Sequence, residues 1–234
     1  MIKEKQTPPS HASEQGMTSR RQFLGGSAIL AAGLLSACSP RTRKPLSPPG
    51  LERPYSAMYG PLPDERFPLP AVDLRKLDKA FLRREVFYPT SEKVGTLVVD
   101  TSNYYLYLVQ ENGTAMRYGV GLGRAGFEWS GRATVARKAV WPKWTPPDEM
   151  IERQPELEKW SWRNGGMPPG PTNPLGARAL YIYQDGRDTL YRLHGTAETW
   201  SIGRAVSSGC VRLLNHDIID LHRRVPTPSP IVVL

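Results

Sequence analysis

The chain has 234 residues, a net charge of +9, 23 prolines and two cysteines, Cys38 and Cys210. That length supports a buried core in one or two domains, and the prolines exclude long uninterrupted helices. The lysines and arginines are scattered, without a basic helix or zinc-finger spacing, which excludes a nucleic-acid motif and leaves an anionic surface such as a membrane or wall polymer as the partner of that charge.

The first element is a leader. In SRRQFLGGSAILAAGLLSAC, residues 19–38, Arg20 and Arg21 precede an apolar run rich in Gly and Ala. Basic, then apolar, then small is the order of an export signal, and the paired arginines point to the twin-arginine route. From Phe23 to Ala37 the run is 15 residues, short of the roughly 20 that a spanning helix needs. Leu35-Ser36-Ala37-Cys38 resembles a lipoprotein box. A lipidated Cys38 would hold the protein on a membrane surface without crossing it; the other reading is a plain cleavage site with an incidental cysteine. Ser39 favours outer-membrane sorting in a Gram-negative cell. Lipidation would also make Cys210 the one thiol of an exported chain, where a thiol needs a reason to exist.

Residues 39–85 are dense in proline and read as an extended tether, with one short helix at LRKLDKAFLRR. The texture changes at Val86. GTLVVD and YYLYLVQ read as strands, and Glu111-Asn112-Gly113 is a hairpin turn before TAMRYGVGLG. ATVARKAVW and ALYIYQ follow as strands, and Asp185-Gly186 turns the chain into TLYRLHG, so that His194 ends a strand. Asn215 is placed to cap a short helix with Leu214, Ile218, Leu221 and Val225 on its apolar side, and IVVL closes the domain as a strand. The sum is one mainly β domain with short helices over residues 86–234. Within it, residues 141–174 hold four of the six tryptophans, which suits either a lid-like binding wall or an irregular cap over the core.

In HGTAETWSIGRAVSSGCVRL, residues 194–213, His194 and Cys210 form a candidate pair. A thiol attacks as its thiolate, and a histidine within hydrogen-bond reach can take that proton and later return it to a leaving amine. Gly209 permits a turn with positive φ that exposes the thiol, and successive backbone N–H groups there can receive an oxyanion. Arg212 carries a fork suited to a substrate carboxylate or to a buried pair with Asp217 or another acid. Cys/His spacing alone leaves catalysis and a buried inert thiol both open.

The same stretch resembles the bacterial L,D-transpeptidase catalytic domain: His-Gly-Thr, Ser-x-Gly-Cys and the following Arg occur in order. The likeness runs over residues 86–234 through GTLVVDTSNYYLYLV, GVGLGRAGFEWSGRA, KWTPP, NPLGARALY and the closing N-x-D helix. One position departs from the common form, Ser208 standing where a histidine usually precedes Gly-Cys. The resemblance implies a β-sandwich-like fold of mixed sheets with short helices, and an enzyme of cell-wall organisation and cell shape that uses no metal or cofactor. Cys210 would attack the diaminopimelate carbonyl of a peptidoglycan stem tetrapeptide and release D-alanine. The acyl group would pass to an amine on another stem or on an anchored protein, or to water. His194 would be base and then acid, oriented by the Gly195 carbonyl; Gly209 and Cys210 would supply the oxyanion hole; Ser207, Ser208, Thr196 and Arg212 would meet substrate. The expected setting is the periplasm, as a membrane-anchored monomer. A papain-like peptidase has the opposite Cys/His order, and a wall-binding protein that no longer turns over is the reading from another class. His216 and His222, six apart, read as solvated or capping residues.

Overall fold

The computed structural model describes residues 55–123, 130–207 and 209–234. The leader, Cys38 and the first part of the expected tether lie outside the described residues.

Among the described residues eleven strands carry the domain: β1 Arg84–Phe87, β2 Leu97–Asp100, β3 Tyr105–Val109, β4 Thr114–Gly119, β5 Leu122–Gly123, β6 Gly131–Val140, β7 Arg178–Gln184, β8 Arg187–Thr196, β9 Ala205–Ser207, β10 Val211–Leu214 and β11 Ser229–Val233. Three short helices join them, α1 Tyr55–Met58, α2 Asp148–Arg153 and α3 Asn215–Arg224. Nine strands form one sheet in the order β1-β4-β3-β2-β11-β6-β7-β8-β10, and β5 and β9 form a second. The sheet is mixed: β11 runs parallel to β2, and β10 runs parallel to β8. One core is shared by its two halves. Leu97, Leu106 and Tyr118 from β2–β4 cluster with Leu180, Leu193 and Leu213 from β7, β8 and β10, so the sheet curls to face itself as in a sandwich.

Local chemistry accounts for the turns. Asn112 and Gly113 have φ of 58° and 67°, and Asp185 and Gly186 have φ of 49° and 74°, the doubly positive geometry that fits tight hairpins to twisted strands. Helix α3 buries Ile218 and Leu221, with Leu214 and Val225 buried at its two ends. Its C-terminus is held by Lys138, whose Nζ donates to the carbonyls of His222 (2.8 Å) and Val225 (2.6 Å). Asn215 does not cap α3, because its Oδ1 accepts the Ala177 N–H at 2.9 Å instead.

The described part of the expected tether is residues 55–85; 55–83 form a strap packed on the domain, and Arg84 and Glu85 already belong to β1. Its LRKLDKAF stretch makes two 3-10 turns, Leu74–Lys76 and Lys79–Phe81, not a single helix. Tyr59, Leu77 and Leu82 pack with Ile202 and Leu214, and Leu69 packs with Trp141, Ala177 and Ile219. The Tyr59 hydroxyl accepts the Arg83 N–H at 2.7 Å and donates to Asp217 at 3.2 Å. Buried Arg83 lies 3.4 Å from both Asp217 and Asp220. Glu65 accepts both ends of the Arg178 fork (2.7 and 3.0 Å) and the Trp141 indole N–H (2.9 Å). Proline density kept the strap extended without keeping it off the core.

Residues 141–174 form an arm between β6 and β7. At its base Trp141 is buried, and Asn173 donates to the carbonyls of Pro142 (3.1 Å) and Pro168 (3.0 Å). Trp144 and Met167 pair across it, while Trp162 farther out is 63% exposed. Within the arm one tryptophan, Trp141, joins the core, Trp144 and Trp160 are half-buried, and Trp162 is exposed.

Candidate active site

The site is assembled by the parallel β8–β10 pair, which aligns Arg212 with His194 and Val211 with Leu193. Directly opposed residues of neighbouring strands share a face, and residues two apart on one strand share it too. Arg192, His194 and Arg212 thereby share a face, and Cys210, at the lead into β10, is close enough for both guanidiniums to act on its thiol as they do on His194. Gly209 has φ of 132°, a conformation that only glycine adopts readily, and it turns the chain at the thiol.

His194 is 4% exposed. Its Nδ1 lies 2.9 Å from the Gly195 carbonyl oxygen. A carbonyl only accepts, so Nδ1 carries the proton and Nε2 is left as the acceptor. Burial, with the Arg212 and Arg192 guanidiniums, holds the imidazole near a pKa of about 4, against the Gly195 hydrogen bond. Burial also pushes the Cys210 thiol up, while the Arg192 backbone N–H and the two guanidiniums pull it down. At neutral pH the resting site thus holds a neutral thiol and a neutral imidazole.

Gly195 sits where a side chain has no room: a Cβ would meet Asn215 Oδ1 and come within 3.0 Å of Ile218. Its N–H donates to the Leu175 carbonyl at 3.0 Å, so the returning arm is stitched beside the histidine. The NPLGA segment is explained by this approach. A Cβ on Gly176 (φ 60°) would lie 2.6 Å from the Gly195 carbonyl carbon.

A bulge in β8 faces the thiol. Tyr183 of β7 opposes Asp188 while Tyr181 opposes Arg192, so β8 carries two extra residues between the pairs. Leu190, at φ 62°, turns its carbonyl to within 4.0 Å of Cys210 Sγ. Bulges bend a strand and re-aim its groups.

Of the residues expected at the site, the structure brings together Cys210, His194, Gly195, Gly209, Arg212 and Thr196. Thr196 is buried, and its Oγ1 accepts the Glu198 N–H at 3.0 Å. Ser208 and the side chain of Ser207 lie outside the described residues. Arg212 is not paired with Asp217, which belongs to Arg83; its Nη1 donates to Glu198 at 2.7 Å. His216 is not solvated: it is buried, with Nε2 2.8 Å from the Gly60 carbonyl on the strap. Two residues escaped the sequence reading. Arg192 was legible in the period-2 alternation that places it on the face of His194, whereas Glu198 gave no signal, since its partner is 14 positions away.

Residues 95–233 match the L,D-transpeptidase catalytic domain (YkuD), and the chain belongs to that family. It is 32% identical over 155 residues to a protein named probable L,D-transpeptidase ErfK/SrfK from Escherichia coli K12, covering 64% of this chain and 47% of that one. It is 33% identical over 153 residues to probable L,D-transpeptidase YbiS of the same strain, covering 61% and 45%. The chain thus spans about half the length of these curated relatives. Among solved structures, one described as a probable carnitine operon oxidoreductase caia from Brucella melitensis is 42% identical, covering 69% of this chain and 99% of that one, with a TM-score of 0.47.

Proposed function

We propose that this protein is a peptidoglycan L,D-transpeptidase with Cys210 as nucleophile and His194 as base. The observation that carries the reading is the β8–β10 pairing, which sets Arg212 beside His194 two residues after Cys210, so that Arg192 and Arg212 act on both groups, with the Nδ1 proton committed to Gly195 and Nε2 left to take another. As Cys210 Sγ attacks the third-residue carbonyl of a stem tetrapeptide, its proton passes to His194 Nε2. The Gly209 and Cys210 N–H groups receive the oxyanion. Collapse breaks the peptide bond, and His194 returns the proton to the departing D-alanine amine. An acceptor amine then attacks the thioester, gives a proton to His194, and the thiol is restored. Water in the acceptor's place makes the enzyme a trimming carboxypeptidase.

Arg212 and Thr196 would meet the substrate beside the pair, and the arm 141–174 would wall the cleft, since Leu175, just after it, accepts the Gly195 N–H. The leader and Cys38 give a route out of the cytoplasm and a lipid tether. The test is mass spectrometry of the intact protein and its products after incubation with a disaccharide-tetrapeptide and excess acceptor stem. A thioester adduct on Cys210 with free D-alanine is expected, and the product mass tells a crosslink from a hydrolysed tripeptide. Cys210→Ala should form no adduct and release no D-alanine while staying folded, because its small side chain leaves little packing to lose. D-alanine release at the wild-type rate in that variant would overturn the mechanism.

A further inference from the structure

Two guanidiniums act on His194 and Cys210, and they are in different states. Arg192 has its fork filled by Asp188, with Nη1 at 2.6 Å and Nη2 at 2.9 Å. Arg212 is tied through Nη1 to Glu198 at 2.7 Å, while its buried Nε finds no hydrogen-bond partner among the described residues. The structural arginines of the fold look otherwise: Arg178 grips Glu65 with both arms of its fork, and the side chains of both partners are less than one-fifth exposed. Glu198 has a side chain that is 51% exposed, against 20% for Arg212.

Its backbone, by contrast, is fixed. The Glu198 N–H goes to Thr196 Oγ1 (3.0 Å), and its carbonyl accepts the Ser201 hydroxyl (2.7 Å). An exposed carboxylate on a fixed backbone can swing away at little cost, since exposed ion pairs are weak. An incoming carboxylate that fills a guanidinium fork with two bonds binds better than one held by a single bond.

We propose that Glu198 is an internal stand-in for a carboxylate of the acyl donor: it occupies Arg212 in the resting site, is displaced on binding, and moderates the preference for carboxylate over carboxamide there. The inference rests on the transpeptidase reading above. Two carboxylates of the donor flank the scissile bond, the terminal one of D-alanine and the side-chain one of the third residue, and both present the same chemistry to Arg212.

The experiment measures KM and kcat of the purified protein and of Glu198→Gln with three tetrapeptides: one unmodified, one amidated at the C-terminus, and one amidated on the third-residue side chain. Removing the competing charge should lower KM for the unmodified peptide about two- to fivefold. The peptide whose amidation erases that gain identifies the carboxylate that Arg212 takes. Glu198→Ala should shift the same ratio of KM values, because the preference depends on the lost charge. A KM unchanged in both variants, or one that moves equally for all three peptides, overturns the proposal while leaving the transpeptidase reading in place. No D-alanine release by the wild type overturns that reading and the proposal with it.

Discussion

At the scale of single residues, the site works through what surrounds the thiol and the imidazole. Both are pushed toward their neutral forms, His194 to about 4 and Cys210 upward. The nucleophile is therefore generated during attack and is not stored as an ion pair. Alkylation of Cys210 by iodoacetamide should rise steadily through pH 9, without the plateau at acidic to neutral pH that a preformed thiolate gives; a rate-against-pH curve decides it. Gly176 gives a second test. Its positive φ and its approach to Gly195 leave no room for a methyl group, so Gly176→Ala should cost about 2–3 kcal/mol in urea unfolding and lower kcat by tilting the Gly195 carbonyl that holds the imidazole. Cys210 and His194 were legible because their motif is contiguous and specific. The Asn215 to Ala177 bond was not, because a side chain that can cap its own helix gives no sign that it serves the turn before β7, 38 positions away.

At the scale of elements, the strap and the arm show where composition misleads. Proline marks an extended chain, and an extended chain with Tyr59, Leu69, Leu77 and Leu82 at irregular intervals has no period to betray that those residues are buried. What they bury against, Ile202 and Leu214 in one cluster and Trp141, Ala177 and Ile219 in the other, lies far along the sequence. A chain beginning at Val86 would leave Asp217 and Asp220 without Arg83 and bare the apolar surface of Leu214. It should be destabilised by more than about 3 kcal/mol relative to one beginning at Tyr55, which denaturant melts of the two would measure. The hairpins, by comparison, were readable at once, since Asn112-Gly113 and Asp185-Gly186 specify their turns locally.

At the scale of the whole molecule, two opposing titrations shape stability. Burial holds His194 and His222 near pH 4, below the ordinary 6.5. The unfolded chain binds those protons more readily, so these groups favour folding increasingly from pH 4 to 6.5. Burial raises Asp217 from 3.8 to about 7, against the pull of Arg83 and the Tyr59 hydroxyl. The folded chain binds that proton more readily, and the stability it adds is lost as pH rises from about 4 to 7. Asp217→Asn abolishes the second slope alone. The variant should gain on the wild type by on the order of 2–4 kcal/mol between pH 4.5 and 7.5, read from urea unfolding at the two values. An equal difference at both would refute the assignment.

The position of β11 has a consequence in time. Ser229–Val233 lies between β2 and β6 and pairs with both, so the strand made last is the one that joins the two halves of the sheet. The ribosome delivers β2–β4 as a meander, with β1 on the outer edge of β4, that can pair early, but Leu97 and Val99 keep an open edge until Ile231 and Val233 arrive. Folding of this domain therefore waits for the final residues of β11 to emerge, and a nascent chain halted before Ser229 presents that edge to whatever chaperone or export factor meets it first.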